Sequence, residues 1–69
     1  MKIKYTAKQQ NGTGWWIIHR AVMTKRTRHT DMYAGGSGDE QFTEKEPLAA
    51  KFADESIAKR EMQSRGFVS

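Results

Sequence analysis

Residues Lys2 to Gln9 alternate in character. Ile3, Tyr5 and Ala7 point one way, and Lys2, Lys4, Thr6 and Lys8 point the other. A period of two over this length predicts a half-buried strand. Asn11-Gly12-Thr13-Gly14 follows, and Asn and Gly tolerate the backbone of a tight turn. The run Trp15 to Met23 is aromatic and β-branched, which predicts a second and central strand. Thr24-Lys25-Arg26-Thr27 is short and polar and reads as a hairpin loop. Arg28 to Ala34 then forms a third strand whose apolar content is Met32 and Tyr33. Gly35 to Glu40 is a flexible loop, because glycine gives up the most entropy on ordering.

The last third of the chain admits two readings. Thr43-Glu44-Lys45-Glu46 fits a capping box for one helix that runs to Arg65, with Pro47 in its first turn. Alternatively, residues 47–53 are a fourth strand, and Asp54 caps a short helix ending at Gly66. The second is preferred, since it lengthens the sheet and sets Asp54 and Glu55 at the positive helix end. The expected fold class is α+β: a three- to four-stranded antiparallel meander with one C-terminal helix packed on one face.

Strand pairing turns this pattern into surfaces. A turn at Lys25-Arg26 sets Arg20 opposite Asp31 and Val22 opposite His29. A first loop of Gln10 to Gly14 sets Lys8 opposite Trp16. One face then holds Ile3, Tyr5, Ala7, Trp15, Ile17, Ala21, Met23, Met32 and Ala34, and the helix is expected to cover it. The other holds Lys2, Lys4, Lys8, Trp16, Ile18, Arg20, His29, Asp31 and Tyr33. A one-residue slip in either hairpin would exchange the faces.

Sixty-nine residues allow one domain, residues 1–69. So small a domain buries only about 60% of its unfolded surface. Without cysteine there is no disulfide to support it. No apolar stretch is long enough for a signal peptide or a membrane span, so a cytoplasmic protein is expected. Charge adds more. The first thirty residues carry seven Lys/Arg and no acid, whereas the remainder carries five Lys/Arg and eight Asp/Glu. An unneutralised basic half suits an anionic partner.

The candidate nucleic-acid-binding residues are therefore Lys4, Lys8, Trp16, Arg20, Lys25, Arg26, Arg28 and Tyr33. Cations neutralise phosphates, and exposed rings stack on bases. Adjacent strand residues face opposite ways, so at most one of Trp15 and Trp16 is naturally core. His29-Thr30-Asp31 is too sparse for a metal or acid-base site and reads as Asp31 pairing with Arg20 beside an exposed His29. Gly35-Gly36-Ser37-Gly38 lacks the lysine and the strand–loop–helix frame of a phosphate loop. No nucleophile–base set or carboxylate pair is visible, so neither an enzyme nor a cofactor or metal is expected.

The order of features resembles that of small accessory proteins of phages and prophages. A basic strand, a turn and a tryptophan-bearing strand lead through a polar hairpin to Ala49-Ala50-Lys51-Phe52-Ala53-Asp54-Glu55-Ser56-Ile57-Ala58. Length and character are similar to those of small Rac-prophage accessory proteins. The resemblance implies an accessory role touching the host chromosome, replication or repair, and carries over no catalytic residue. A three-stranded sheet backed by a helix also resembles, at fold level, the arm-binding domains of phage integrases, which read DNA with the sheet. The expected function is nucleic-acid binding, with DNA ahead of RNA. The alternative is a non-enzymatic inhibitor or adaptor that docks on an acidic patch of a host protein. An open sheet edge also leaves room for a homodimer.

Overall fold

The computed structural model describes residues 1–36 and 38–67, without the side chains of Asp39 and Glu40. Ser37, in the expected Gly-Ser loop, lies outside the described residues. Strands β1 (Lys2–Gln9), β2 (Trp16–Met23), β3 (Arg28–Tyr33) and β4 (Phe42–Thr43) form an antiparallel meander in the order β1-β2-β3-β4. Helix α1 (Glu55–Arg65) follows and packs on one side of the sheet. None of the described helices is long and apolar enough to cross a membrane.

The second hairpin pairs as expected, with Arg20 opposite Asp31 and Val22 opposite His29. Its turn is held by threonines at both ends. The Thr24 amide donates to the Thr27 carbonyl at 2.9 Å, and the Thr27 amide donates to the Thr24 hydroxyl at 3.1 Å. Lys25 and Arg26 are left exposed at the tip.

The first hairpin departs by one residue. Lys8 lies opposite Ile17, not Trp16, and Gln9 lies opposite Trp16. The ladder continues through the Gln10 amide, which donates to the Trp15 carbonyl at 2.7 Å. The loop is thus Asn11 to Gly14, with Gly12 and Gly14 at φ of 87° and 79°. Those left-handed positions let the turn close with four residues instead of five. The slip turns β1 over relative to β2 and β3. Ile3, Tyr5 and Ala7 therefore share a face with Trp16, Ile18, Arg20, Asp31 and Tyr33.

That shared face is the core side. Ile18, Tyr33, Ala58 and Phe67 form its centre, and Tyr5, Ala7, Trp16, Phe42, Ala50, Phe52 and Met62 pack around them. Phe67 stacks on Tyr5 with centroids 4.8 Å apart and meets Tyr33 edge-on at 5.4 Å. Rings in such offset and edge-on pairs add to the burial of their apolar surface.

The C-terminal third corrects one expectation and matches another. Residues 47–53 are not a strand. Glu46–Leu48 is a 3-10 turn, and Ala50 and Phe52 bond to the diverging ends of β3 and β2. The fourth strand is instead the short Phe42–Thr43 pairing with Met32 and Tyr33. Asp54 does cap the helix, accepting from the Ile57 amide at 2.9 Å, and Gly66 ends it at φ 76°. The Phe67 amide donates to the Met62 carbonyl and the Gly66 amide to the Gln63 carbonyl. This Schellman closure aims Phe67 back at the sheet.

Candidate functional site

The helix-free face of the sheet is built from the even positions of β1 and β3 and the odd positions of β2. The register stacks Lys2, Met23 and Arg28 in one row. The next row holds Lys4, Ala21 and Thr30, and the one after it Thr6, His19 and Met32. Small side chains at Thr6, Ala21 and Thr30 leave a shallow floor, and the longer cations rise around it. The result is a groove of about 340 Å³ among Lys4, Lys8, His19, Arg20, Arg28 and Thr30. No acidic residue lines it.

Lys2, Lys4, Lys8, Lys25, Arg26 and Arg28 are exposed, and none is ion-paired among the described residues. Cations elsewhere are partly neutralised. Lys59 pairs with Glu55 and Arg65 with Glu61 along the helix. Lys51 donates to the Pro47 and Ala49 carbonyls.

Five of the eight residues expected from sequence are on accessible surface. Lys4, Lys8 and Arg28 lie on the helix-free face, and Lys25 and Arg26 at the hairpin tip beside it. The other three lie on the helix side of the sheet, although Arg20 also lines the basic groove. Trp16 is half-buried against the core, and Tyr33 is 1% exposed with its hydroxyl donating to Glu61 at 2.9 Å. Burial, then that hydrogen bond, pushes the Tyr33 hydroxyl above its usual pKa. Arg20 is half-buried and committed to Asp31 by two hydrogen bonds, with its guanidinium 3.8 Å above the Phe42 ring. All three sit under the helix because of the one-residue slip. His29 is exposed and 3.2 Å from Glu44, while Asp31 pairs with Arg20, as the sparse His-Thr-Asp pattern suggested.

Two contributors escaped the sequence reading. His19 lies between the rows of Lys4 and Lys8. Burial, and then Lys8, hold its pKa below the ordinary value, against an opposing pull from Glu46. It is therefore neutral at pH 7. Trp15, rather than Trp16, is the exposed tryptophan, at 43%. The true loop length is the signal that would have exchanged the two.

Past Lys8 the character of the face changes. A second groove of about 620 Å³ continues from the first through Lys8, His19 and Thr30 and reaches Gln10, Glu44 and Glu46. The Gln10 amide donates to the Glu46 carboxylate, which ties the 3-10 turn to this end of the sheet. Among the described residues, no cluster of three or more His, Cys, Asp or Glu is arranged to hold a metal. Comparison with protein-family models, with curated proteins and with solved structures finds no match.

Proposed function

We propose that this protein binds nucleic acid, with DNA the first ligand to test, through the helix-free face of its sheet and the adjoining hairpin tip. The observation that carries the reading is an acid-free groove lined by Lys4, Lys8 and Arg28, with Lys2, Lys25 and Arg26 also exposed and none of the six ion-paired among the described residues. Like charges at Lys4, Lys8 and Arg28 around one groove repel one another in the free protein. Counterion release on meeting phosphates reverses that balance. An accessory role, of the kind implied by the resemblance to small phage and prophage proteins, asks no more than such a surface.

The reading differs from the expectation in its residues. Lys2, Lys4, Lys8 and Arg28 on the face, with Lys25 and Arg26 at the tip, contact phosphates. Trp16 and Tyr33 serve the core, and Arg20, paired with Asp31, lines the groove beside them.

Fluorescence anisotropy of a labelled 20-base-pair duplex, titrated at several salt concentrations, tests the proposal. If about four phosphates are neutralised, log K falls against log salt with a slope near −3.6. The triple variant Lys4→Ala/Lys8→Ala/Arg28→Ala is expected to fold and to lower the magnitude of that slope by about 2.7. Absence of binding to duplex or single strand at low salt, by protein that circular dichroism shows to be folded, overturns it. A protein partner that survives nuclease treatment would then favour the adaptor reading.

A further inference from the structure

Trp15 is the one exposed aromatic residue among the described residues. The domain tucks Tyr33, Phe67 and Ile18 away from water, yet leaves this large ring 43% exposed. Among the described residues it stacks on no other aromatic ring, unlike the five rings that meet under the helix.

The backbone fixes which face it joins. The Trp15 carbonyl accepts from Gln10 on the β1 side, whereas the Trp16 amide and carbonyl both bond to Phe52 on the other side. Alternating bonding directions are those of extended chain. Trp15 thus continues the alternation of β2 by one residue and emerges on the face of Ile17 and His19, the basic one. It is opposite Gln10 and diagonal to Lys8, whose partner is Ile17. Diagonal neighbours on an antiparallel pair lie about 7–8 Å apart. From Lys2 to Gln10 the face runs about 27 Å, at roughly 3.4 Å per residue.

Charge along this track is graded. Lys2, Arg28 and the hairpin tip occupy one end, Lys4 and Lys8 the middle, and Trp15, Gln10 and Glu46 the other end. A carboxylate at the Trp15 end repels phosphate but accepts hydrogen bonds from base amino groups. The ring there is 43% exposed, and beyond Lys8 the adjoining groove holds Glu44 and Glu46 rather than a second row of cations. In a duplex each base is already stacked between its neighbours, so a side chain resting on the protein surface has no base face to meet. An unpaired base has one.

We propose that the preferred ligand is a single-stranded segment, its phosphates tracking Lys2, Lys4, Lys8 and Arg28 while Trp15 stacks on a base. This rests on the reading of the basic face as a nucleic-acid surface. It goes further by naming the strand state of the ligand and the residue that selects it. Stacking and phosphate neutralisation leave different marks. A lost stack lowers affinity at every salt concentration, and a lost lysine changes the salt slope.

The experiment is anisotropy with labelled dT20 and with a 20-base-pair duplex, for wild type, Trp15→Ala, Trp15→Phe and Lys8→Ala, at four salt concentrations. Wild type is expected to bind dT20 more tightly than the duplex. Trp15→Ala is expected to weaken dT20 binding roughly five- to a hundred-fold with an unchanged slope. Trp15→Phe should recover most of the loss. Lys8→Ala should reduce the slope for dT20 by about 0.7. Trp15 is exposed, so these variants are expected to melt like wild type, and circular dichroism verifies that. Tighter duplex binding, or a Trp15→Ala variant that binds dT20 like wild type, overturns the stacking and leaves the basic face standing. Failure of folded wild type to bind either ligand overturns both.

Discussion

Asp31 is the buried charged residue of the sheet, and its environment shows how a polar pair is carried inside a small core. Both oxygens accept from Arg20, whose guanidinium lies over Phe42. The pair joins the middles of β2 and β3 and so pins the register on which the basic face depends. Removing one partner strands the other. Asp31→Ala leaves a half-buried guanidinium without its carboxylate, and the expected loss is about 2–3 kcal/mol, below the range for fully buried pairs because Arg20 retains some solvent. Replacing both, as Arg20→Met/Asp31→Val, removes the stranded charge and is expected to be less destabilising than Asp31→Ala alone. Urea denaturation followed by circular dichroism compares the two. The order reverses if the pair's mutual attraction outweighs its desolvation. A domain of this size has roughly 3–10 kcal/mol in total, so either change is large.

At the scale of elements, the helix is short and weakly amphipathic, with only Ala58 buried along its described length. Its attachment depends on the residues at its ends. Phe67 lies outside the helix but contributes more to the aromatic cluster than any residue within it, touching Tyr5, Tyr33 and Phe42. Phe67→Ala is expected to cost about 3 kcal/mol, as for an aromatic removed from a core. Gly66→Ala meets no neighbouring atom, so it costs only the left-handed backbone, about 1 kcal/mol. The ratio of the two in denaturant titrations separates anchoring from turn geometry. Much of this was legible in sequence. The alternation of Lys2 to Gln9, the turn at Lys25-Arg26, the Asp54 cap and the Gly66 stop each rest on local chemistry. What was not legible depends on tertiary context. β2 is apolar on both faces from Trp15 to Ile18, so its pattern does not select a register against β1, and one loop residue decided it. The same slip placed Trp16, Arg20 and Tyr33 under the helix while leaving Lys4, Lys8 and Arg28 outside. The two-residue β4 carries too little pattern to be seen, and residues 47–53 lost their strand because they fill the gap where β2 and β3 diverge.

Across the whole molecule, folding and the proposed binding make opposite demands on His19. The free face presents it beside Lys8, with Lys4 and Arg28 in the same groove and Asp31, Glu44 and Glu46 in the adjoining one. In the free protein, burial and Lys8 lower its pKa below 6.5, despite Glu46. The unfolded chain then takes up this proton more readily than the folded one. The stabilising contribution is full above pH 6.5 and is lost as pH falls from there through the lower folded value. A phosphate lying along Lys4, Lys8 and Arg28 acts the other way, because an anion favours the charged imidazole. If the face binds nucleic acid, binding is accompanied by proton uptake, and affinity rises as pH falls from about 7 to about 5, by at most tenfold per pH unit for one proton. Stability falls over the same interval. His29 lies beside Glu44 and opposite Val22, on the other face of the sheet from His19, so His29→Gln should retain the affinity trend. His19→Gln should flatten it while preserving the salt slope at pH 7.5, where His19 is neutral and contributes no counterion release. Anisotropy at constant ionic strength between pH 5 and 7.5, paired with denaturation at the same pH values, measures both trends. An affinity that does not change with pH in wild type would mean that no phosphate comes near His19, and would move the contact surface away from the groove toward the hairpin tip.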